Sequence, residues 1–242
     1  MPGYTKTSQS VRQNFEVAKA TLLRAGIDAN ATKLTQHTLR VEALLTTTQS
    51  SYQFAVLVNQ SSPGATSSGS FNTENKLNLQ DAFFCHEIGM YIAKTASATD
   101  STFRLFTYPD AGTFSSSNVA TQAYGIYNGN LSLSVDNNQI VPFWDCQRHL
   151  NIPNPNYSKQ ADSATGQIQQ ISAQDGTTQG LSPVEPMIIF NGTQNIALKL
   201  NLPNALTAVE TSGGTSVQRV VLLLRGHLAQ NVGINLKQFS QI

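Results

Sequence analysis

Apolar residues near the start of the chain recur at Val11, Phe15, Ala18, Leu22 and Ala25, in steps of four, three, four and three. That rhythm traces one face of an α-helix. Ser8 or Ser10 can cap its start, and Gly26 stands where a left-handed residue closes a helix. The pattern predicts a helix over 8–25. From about residue 35 the period falls to two. Segments 38–48 and 51–59 are strand candidates, and the short Gln49-Ser50 link makes them a hairpin or one bent strand. Segment 76–94 alternates at Leu77 and Leu79 and then holds two apolar runs, AFFC and IGMYIA. It predicts two strands with a bend near Asp81 or Glu87. Segment 101–109 is a further strand. Segment 123–145 holds two strand candidates, of which 131–135 alternates cleanly before an Asp136-Asn137-Asn138 turn. Strands are also predicted at 186–190, 195–203 and 216–230, the last so apolar that it should be central. Asn191-Gly192 is the strongest short hairpin signal in the chain.

Between these runs lie polar stretches at 61–75, 110–122 and 152–179. The first and last are too long to be mere connectors. About eight to ten strands, with almost no helix after Gly26, predict a mainly β protein: an antiparallel jelly-roll or β-sandwich with a short N-terminal α-helix. The expected layout is a helical arm at 1–34 and a sandwich body at 35–242, with polar insertions at 61–75 and 152–179. Leu39, Val41, Phe54, Val56, Phe83, Leu133, Ile196, Leu198, Val221 and Leu223 are its expected core. The stripe of Val11, Phe15, Ala18 and Leu22 has no adjacent helix to pack on, and an isolated helix of this length is marginal in water. It is expected to be an assembly interface.

Composition adds a second strand of argument. Roughly a third of the residues are Ser, Thr, Asn or Gln, well above ordinary usage. Only 12% are charged and the formal net charge is +1. The hydrophobic share of 40% is enough for a core, and near-zero net charge argues against disorder. A surface wetted by hydroxyls and amides repels its own copies weakly. It also loses less on desolvation than a charged one. That suits a protein covered by its neighbours. The start MPGYTKTSQS lacks the apolar segment of a secretory signal, and no apolar run approaches the roughly 20 residues of a membrane span. Synthesis in a cytoplasm is expected, with Cys85 and Cys146 as buried free thiols rather than a disulfide. Five glycosylation sequons, at Asn30, Asn59, Asn130, Asn156 and Asn191, are then a by-product of composition.

Candidate chemistry is sparse. The histidines His37, His86, His149 and His227 show no metal-ligand spacing. In Cys85-His86-Glu87, strand alternation would put Cys85 and Glu87 on one face and His86 on the other, a poor joint site. In Trp144-Asp145-Cys146-Gln147-Arg148-His149, a Cys146–His149 nucleophile would need the histidine folded back and a third group to orient it. The plainer reading is a strand end closed by Asp145 and Arg148, with Trp144 in the core. Phosphate-binding glycine loops and the serine-nucleophile elbow are absent from the sequence. No catalytic, cofactor-binding or metal-binding residue is assigned, and no cofactor is expected. Lys6, Arg12, Lys19 and Arg24 make the arm basic. Nucleic acid or an anionic membrane beneath it is one reading, and a solvated helix face is the plainer one.

The basic helical arm is followed by a β-rich body with polar loops. Within it, LQDAFFCHEIGMYIAK, IYNGNLSLSV, EPMIIFNGTQNIALKLNLP and VVLLLRGHL resemble the jelly-roll coat proteins of bacterial viruses. The resemblance implies eight antiparallel strands, a shell of many copies in contact with other virion proteins, residence in the virion, and no enzymatic activity. The chain is short for two jelly rolls, so one elaborated roll is expected. The alternative is a carbohydrate- or receptor-binding β-sandwich, with Tyr124, Tyr127, Asn128, Asn130 and Tyr157 as its aromatic and amide platform. An enzyme on a β-sandwich is the third class.

Overall fold

The alternating segments close into two sheets that share one apolar interior; they are antiparallel except where the short strand Lys76–Leu77 runs parallel to Ser51–Val58. The computed structural model describes residues 8–27, 32–58, 76–78, 80–95, 104–107, 114, 117–151, 160–161, 168–169, 180–209 and 217–232. The elements begin with α1 (Ser8–Arg24), β1 (Lys33–Leu44), β2 (Ser51–Val58), β3 (Lys76–Leu77), β4 (Ala82–Thr95) and β5 (Arg104–Phe106). Next come α2 (Ser117–Tyr127), β6 (Asn130–Val135), β7 (Asn138–Asp145) and a 3-10 turn (Cys146–His149). The chain continues through β8 (Gln160–Ala161), β9 (Ile168–Gln169), β10 (Leu181–Asn191), β11 (Ile196–Asn201) and β12 (Val217–Gln230).

One sheet has the order β1-β12-β4-β10, with β5 also beside β4, and the other has the order β3-β2-β11-β6-β7. The pairings are nested. β1 pairs with β12, β2 with β11, β4 with β10 and β6 with β7, all antiparallel. Consecutive long strands therefore cross from sheet to sheet, except at the β6–β7 hairpin. There Asp136 and Asn137 take φ values of 49° and 67°, the left-handed pair that a two-residue turn matched to strand twist requires.

Two expected links are corrected by this crossing. β1 and β2 are neither a hairpin nor one bent strand, because they belong to different sheets. The buried Tyr52 fixes their corner: its hydroxyl donates to Thr46 O and Gln49 O, each at 3.0 Å. Asn191-Gly192 likewise turns the chain between sheets instead of closing a hairpin. Asn191 Oδ1 accepts from Thr193 N at 3.0 Å, and Gly192 N donates to Asp81 O at 2.9 Å.

Leu39, Val41, Phe54, Phe83, Leu133, Ile196 and Leu198 lie in the main core as expected, and the side chain of Val56 lies outside the described residues. Val221 and Leu223 do not share that core. They face outward, with Tyr91 and Ala93, while Val220, Leu222 and Leu224 face in. β12 is apolar on both faces, so alternation alone leaves its phase undetermined. The stretch 117–127, expected as loop and strand, is the helix α2. Val119, Ala120, Ala123, Ile126 and Tyr127 keep a helical period and are buried in the core. Of the insertion 152–179 only β8 and β9 are described, and 61–75 lies outside the described residues. No helix among the described residues is long and apolar enough to cross a membrane.

Helix α1 lies against the outer face of the first sheet. Ala18, Leu22, Ala25 and Ile27 form a second buried cluster with Ala82, Phe84, Ala229 and Val232. Its end is closed by two reversed hydrogen bonds, Gly26 N to Leu23 O at 3.0 Å and Ile27 N to Leu22 O at 3.0 Å, around Gly26 at φ +73°. This is the Schellman arrangement, with Ile27 returning to Leu22. Gly26→Ala is expected to cost about 1 kcal/mol, because a Cβ is strained at positive φ. Denaturant unfolding checks it, and an unchanged midpoint would contradict the cap.

Candidate functional site

Among the described residues, two places bring potentially reactive side chains together. The first is the corner after β7. Asp145 Oδ1 accepts from Gln147 N at 3.0 Å and starts the 3-10 turn. That turn carries Cys146 and His149 inward, and both are fully buried. The indole N–H of Trp144 can only donate, and it reaches His149 Nε2 at 2.9 Å. Nε2 is therefore the acceptor, and Nδ1 carries the proton that it donates to Gly180 O at 2.7 Å. His149 is held neutral in one tautomer. Burial pushes its pKa down to about 4, partly opposed by the Gly180 hydrogen bond. Burial, reinforced by Asp145, pushes the Cys146 thiol up to about 12. Its Sγ points to Trp144 O at 3.9 Å. Both ring nitrogens of His149 are thus engaged elsewhere, and Cys146 is not aligned with it as a nucleophile–base pair. The expected closure by Asp145 and Arg148 is also rearranged. Asp145 caps the turn, and the Arg148 guanidinium lies 4.2 Å from the Trp144 ring centroid.

The second place is the middle of the first sheet. β4 carries a bulge there: Glu87 pairs with Arg225 and Cys85 pairs with the next residue, Gly226, leaving His86 as the extra residue. The bulge reverses the phase of the strand. Phe83 and Cys85 face the core before it, and Ile88, Met90 and Ile92 face the core after it. Strict alternation therefore fails at the point where it was applied. His86 and Glu87 both stay off the core face. His86 Nε2 lies 2.7 Å from His227 Nδ1, and Glu87 Oε2 accepts from Arg225 Nη1 at 3.4 Å. Burial, and then the neighbouring His227, push His86 down to about 4, and burial also lowers His227. Burial raises the Cys85 thiol. The 141-residue separation of His86 and His227 hides this pair from any sequence motif.

The assembly stripe divides. Ala18 and Leu22 are buried against the chain's own sheet. The outer face that receives them is apolar, with Phe84 and Ala229. Phe15 is half-buried, its ring edge-on to His227 with centroids 5.7 Å apart. The side chain of Val11 lies outside the described residues. In the amide and aromatic platform, Tyr127 is buried and donates to Phe106 O at 3.3 Å, so it cannot stack on a sugar. Asn128 Oδ1 accepts from Gln147 Nε2 at 3.1 Å, Asn130 Oδ1 accepts from Asn201 Nδ2 at 3.4 Å, and Tyr157 lies outside the described residues.

The largest exposed apolar side chains of the sandwich are on edge strand β7. Phe143 is 66% exposed and Ile140 49%. Two register shifts against β6 throw these side chains outward, and Pro142 lies between them. Bulges and proline blunt strand addition at an edge. Among the described residues no group of three His, Cys, Asp or Glu side chains could hold a metal ion. No protein-family model matches the chain, and a search of curated proteins finds no match.

Proposed function

We propose that the chain is a single jelly roll that serves as a self-assembling coat component of a bacterial virus, working through interfaces with its own copies and other virion proteins. The nested pairing carries the fold reading. Pairing of first strand with last, second with second-to-last and third with third-to-last around a central hairpin supports a jelly-roll reading, an architecture used by capsid and lectin domains. The functional reading rests on the surface. Only 12% of residues are charged, and Phe143 and Ile140 project from the edge of the second sheet. On a sparsely charged surface these side chains are available to be covered by a neighbouring copy, which is the support this reading takes from them. The burial of Tyr127 weakens the sugar-binding alternative. Weak contacts suffice in a closed shell, because each is repeated.

Light scattering on the purified chain, together with electron micrographs, tests the proposal. The expected result is a symmetric particle many times heavier than the 26.1 kDa chain. A species that stays at 26.1 kDa across the accessible concentration range, alone and with a lysate of infected cells, overturns it.

A further inference from the structure

We propose that the His86–His227 pair is an acid-operated latch, which holds α1 on the first sheet at neutral pH and releases it in acid while the sandwich stays folded. The inference stands apart from the coat-protein reading. α1 is attached through a small cluster of its own, separate from the main core. At one end of that attachment the Phe15 ring rests edge-on against His227, and His227 is bonded to His86 at 2.7 Å. At this distance only one proton fits between the two nitrogens. The neutral pair uses it as a hydrogen bond. A first added proton places a cation beside the edge-on Phe15 ring, in a site that is almost entirely buried. A second sets two N–H donors against each other, and the rings must part.

The direction of parting follows from the bulge. Opposite it, Gly226 lies so close to the Phe84 carbonyl that a Cβ would overlap the oxygen. The two strands are also laddered on both sides of the bulge, from Val217 against Thr95 to Ala229 against Ala82, so the backbones resist separation. The rings move outward, toward Phe15 and α1.

The surrounding charges do not cancel the effect. From α1, Arg12 and Lys19 sit three residues before and four after Phe15, on its side of the helix, with Glu16 next to it. From β4, Glu87 is bonded to Arg225 of β12. On β1 the residue paired with His227 is Gln36, which does not titrate, and His37 packs instead on Phe83 in the main core. On β10, which bows out of register between Pro183 and Ile188, Glu185 is exposed. Arg12, Glu16 and Glu185 are exposed and Lys19 is half-exposed, so solvent and salt screen them. Burial of the pair therefore dominates. Histidines of the unfolded chain take up protons near 6.5 and the docked His86 only near 4; releasing α1 relieves part of the burial and moves the pair toward the free value. The docked state is fully favoured above 6.5 and loses ground as pH falls from there toward 4.

The test uses the full chain carrying Ala18→Cys, a position with no exposure. The native thiols Cys85 and Cys146 are buried in the sandwich and report its opening. A dipyridyl disulfide reagent, still reactive in acid, is calibrated at each pH against a free thiol peptide. Labelling of Ala18→Cys is expected to accelerate by about tenfold or more between neutral pH and the low end of that window, while Cys85 stays protected; tenfold is the shift that one pH unit of a single linked proton produces. Adding His227→Gln is expected to abolish the acceleration. If that variant exposes Cys85 at neutral pH, His86→Gln takes its place. Labelling of Ala18→Cys that ignores pH, simultaneous labelling of Cys85, or an acid response that survives in a folded histidine variant each overturns the latch.

Discussion

Gly226→Ala is expected to be among the most destabilising single substitutions in the sandwich. A Cβ at this position would land on the Phe84 carbonyl oxygen, 2.7 Å from Phe84 C and 3.1 Å from Cys85 Cα. All three are backbone atoms of the neighbouring strand and cannot rotate away as a side chain would. The affected ladder, β4 with β12, lies in the middle of its sheet. Overpacking of this kind costs on the order of 3 kcal/mol. That is a large share of the roughly 5–15 kcal/mol that holds a domain together. Gly125, inside α2, is the control. The nearest atom to its Cβ would be Leu206 Cδ2 at 3.6 Å, ordinary contact. Gly125→Ala should therefore raise stability by about 0.5–1 kcal/mol through helix propensity. Denaturant unfolding of the two variants separates them. Equal midpoints would mean that the bulge at His86 does not press β4 onto β12.

Acidification is the second large effect. His149 is neutral and fully buried, bonded by Trp144 and Gly180, with its pKa pushed down to about 4. The unfolded chain binds a proton at this residue near 6.5. Above that value neither state is protonated, and stability is independent of His149. Between 6.5 and about 4 only the unfolded state gains the proton, so stability falls as pH falls. The loss at this one side chain is on the order of 3 kcal/mol across that interval. His149→Gln can keep both hydrogen bonds, the amide oxygen accepting from Trp144 and the amide nitrogen donating to Gly180. It is expected to be somewhat less stable at neutral pH and to show a flatter fall in acid by about that amount. Urea titrations at a series of pH values measure the difference, and an acid slope equal to that of the unchanged protein would sink the assignment.

What was legible in the sequence follows from where one rule acted alone. The hairpin at Asp136-Asn137 and the strands on either side were readable, because local turn chemistry and a one-sided alternation agreed. The closure of α1 by Gly26 was readable for the same reason. Legibility failed where two rules competed. Ser117 to Tyr127 sits among serines and asparagines that suggest a loop, yet Val119, Ala123 and Ile126 keep the helical period. Val221 and Leu223 belong to a strand covered on both faces, so alternation carries no phase there. His86 breaks its own strand's phase through a bulge whose cause, the missing side chain of Gly226, is 140 residues away. The pairing of His86 with His227, and the triad of Trp144, His149 and Gly180, depend on tertiary contacts that spacing does not encode. Asn191-Gly192 was correctly a turn, but no local signal says whether a turn returns to the same sheet.

The nested pairing also bears on how the protein emerges from the ribosome. β1 is complete at Leu44, yet its partner β12 begins only at Val217. At about 5–20 residues per second of synthesis, the first strand waits on the order of ten seconds or more with an open edge. During that wait the β12 of another copy whose own β1 has not yet docked offers the same ladder, from Lys33 against Gln230 to Leu44 against Arg219. Crowded polysomes should therefore yield strand-exchanged dimers, and slower expression should yield fewer of them.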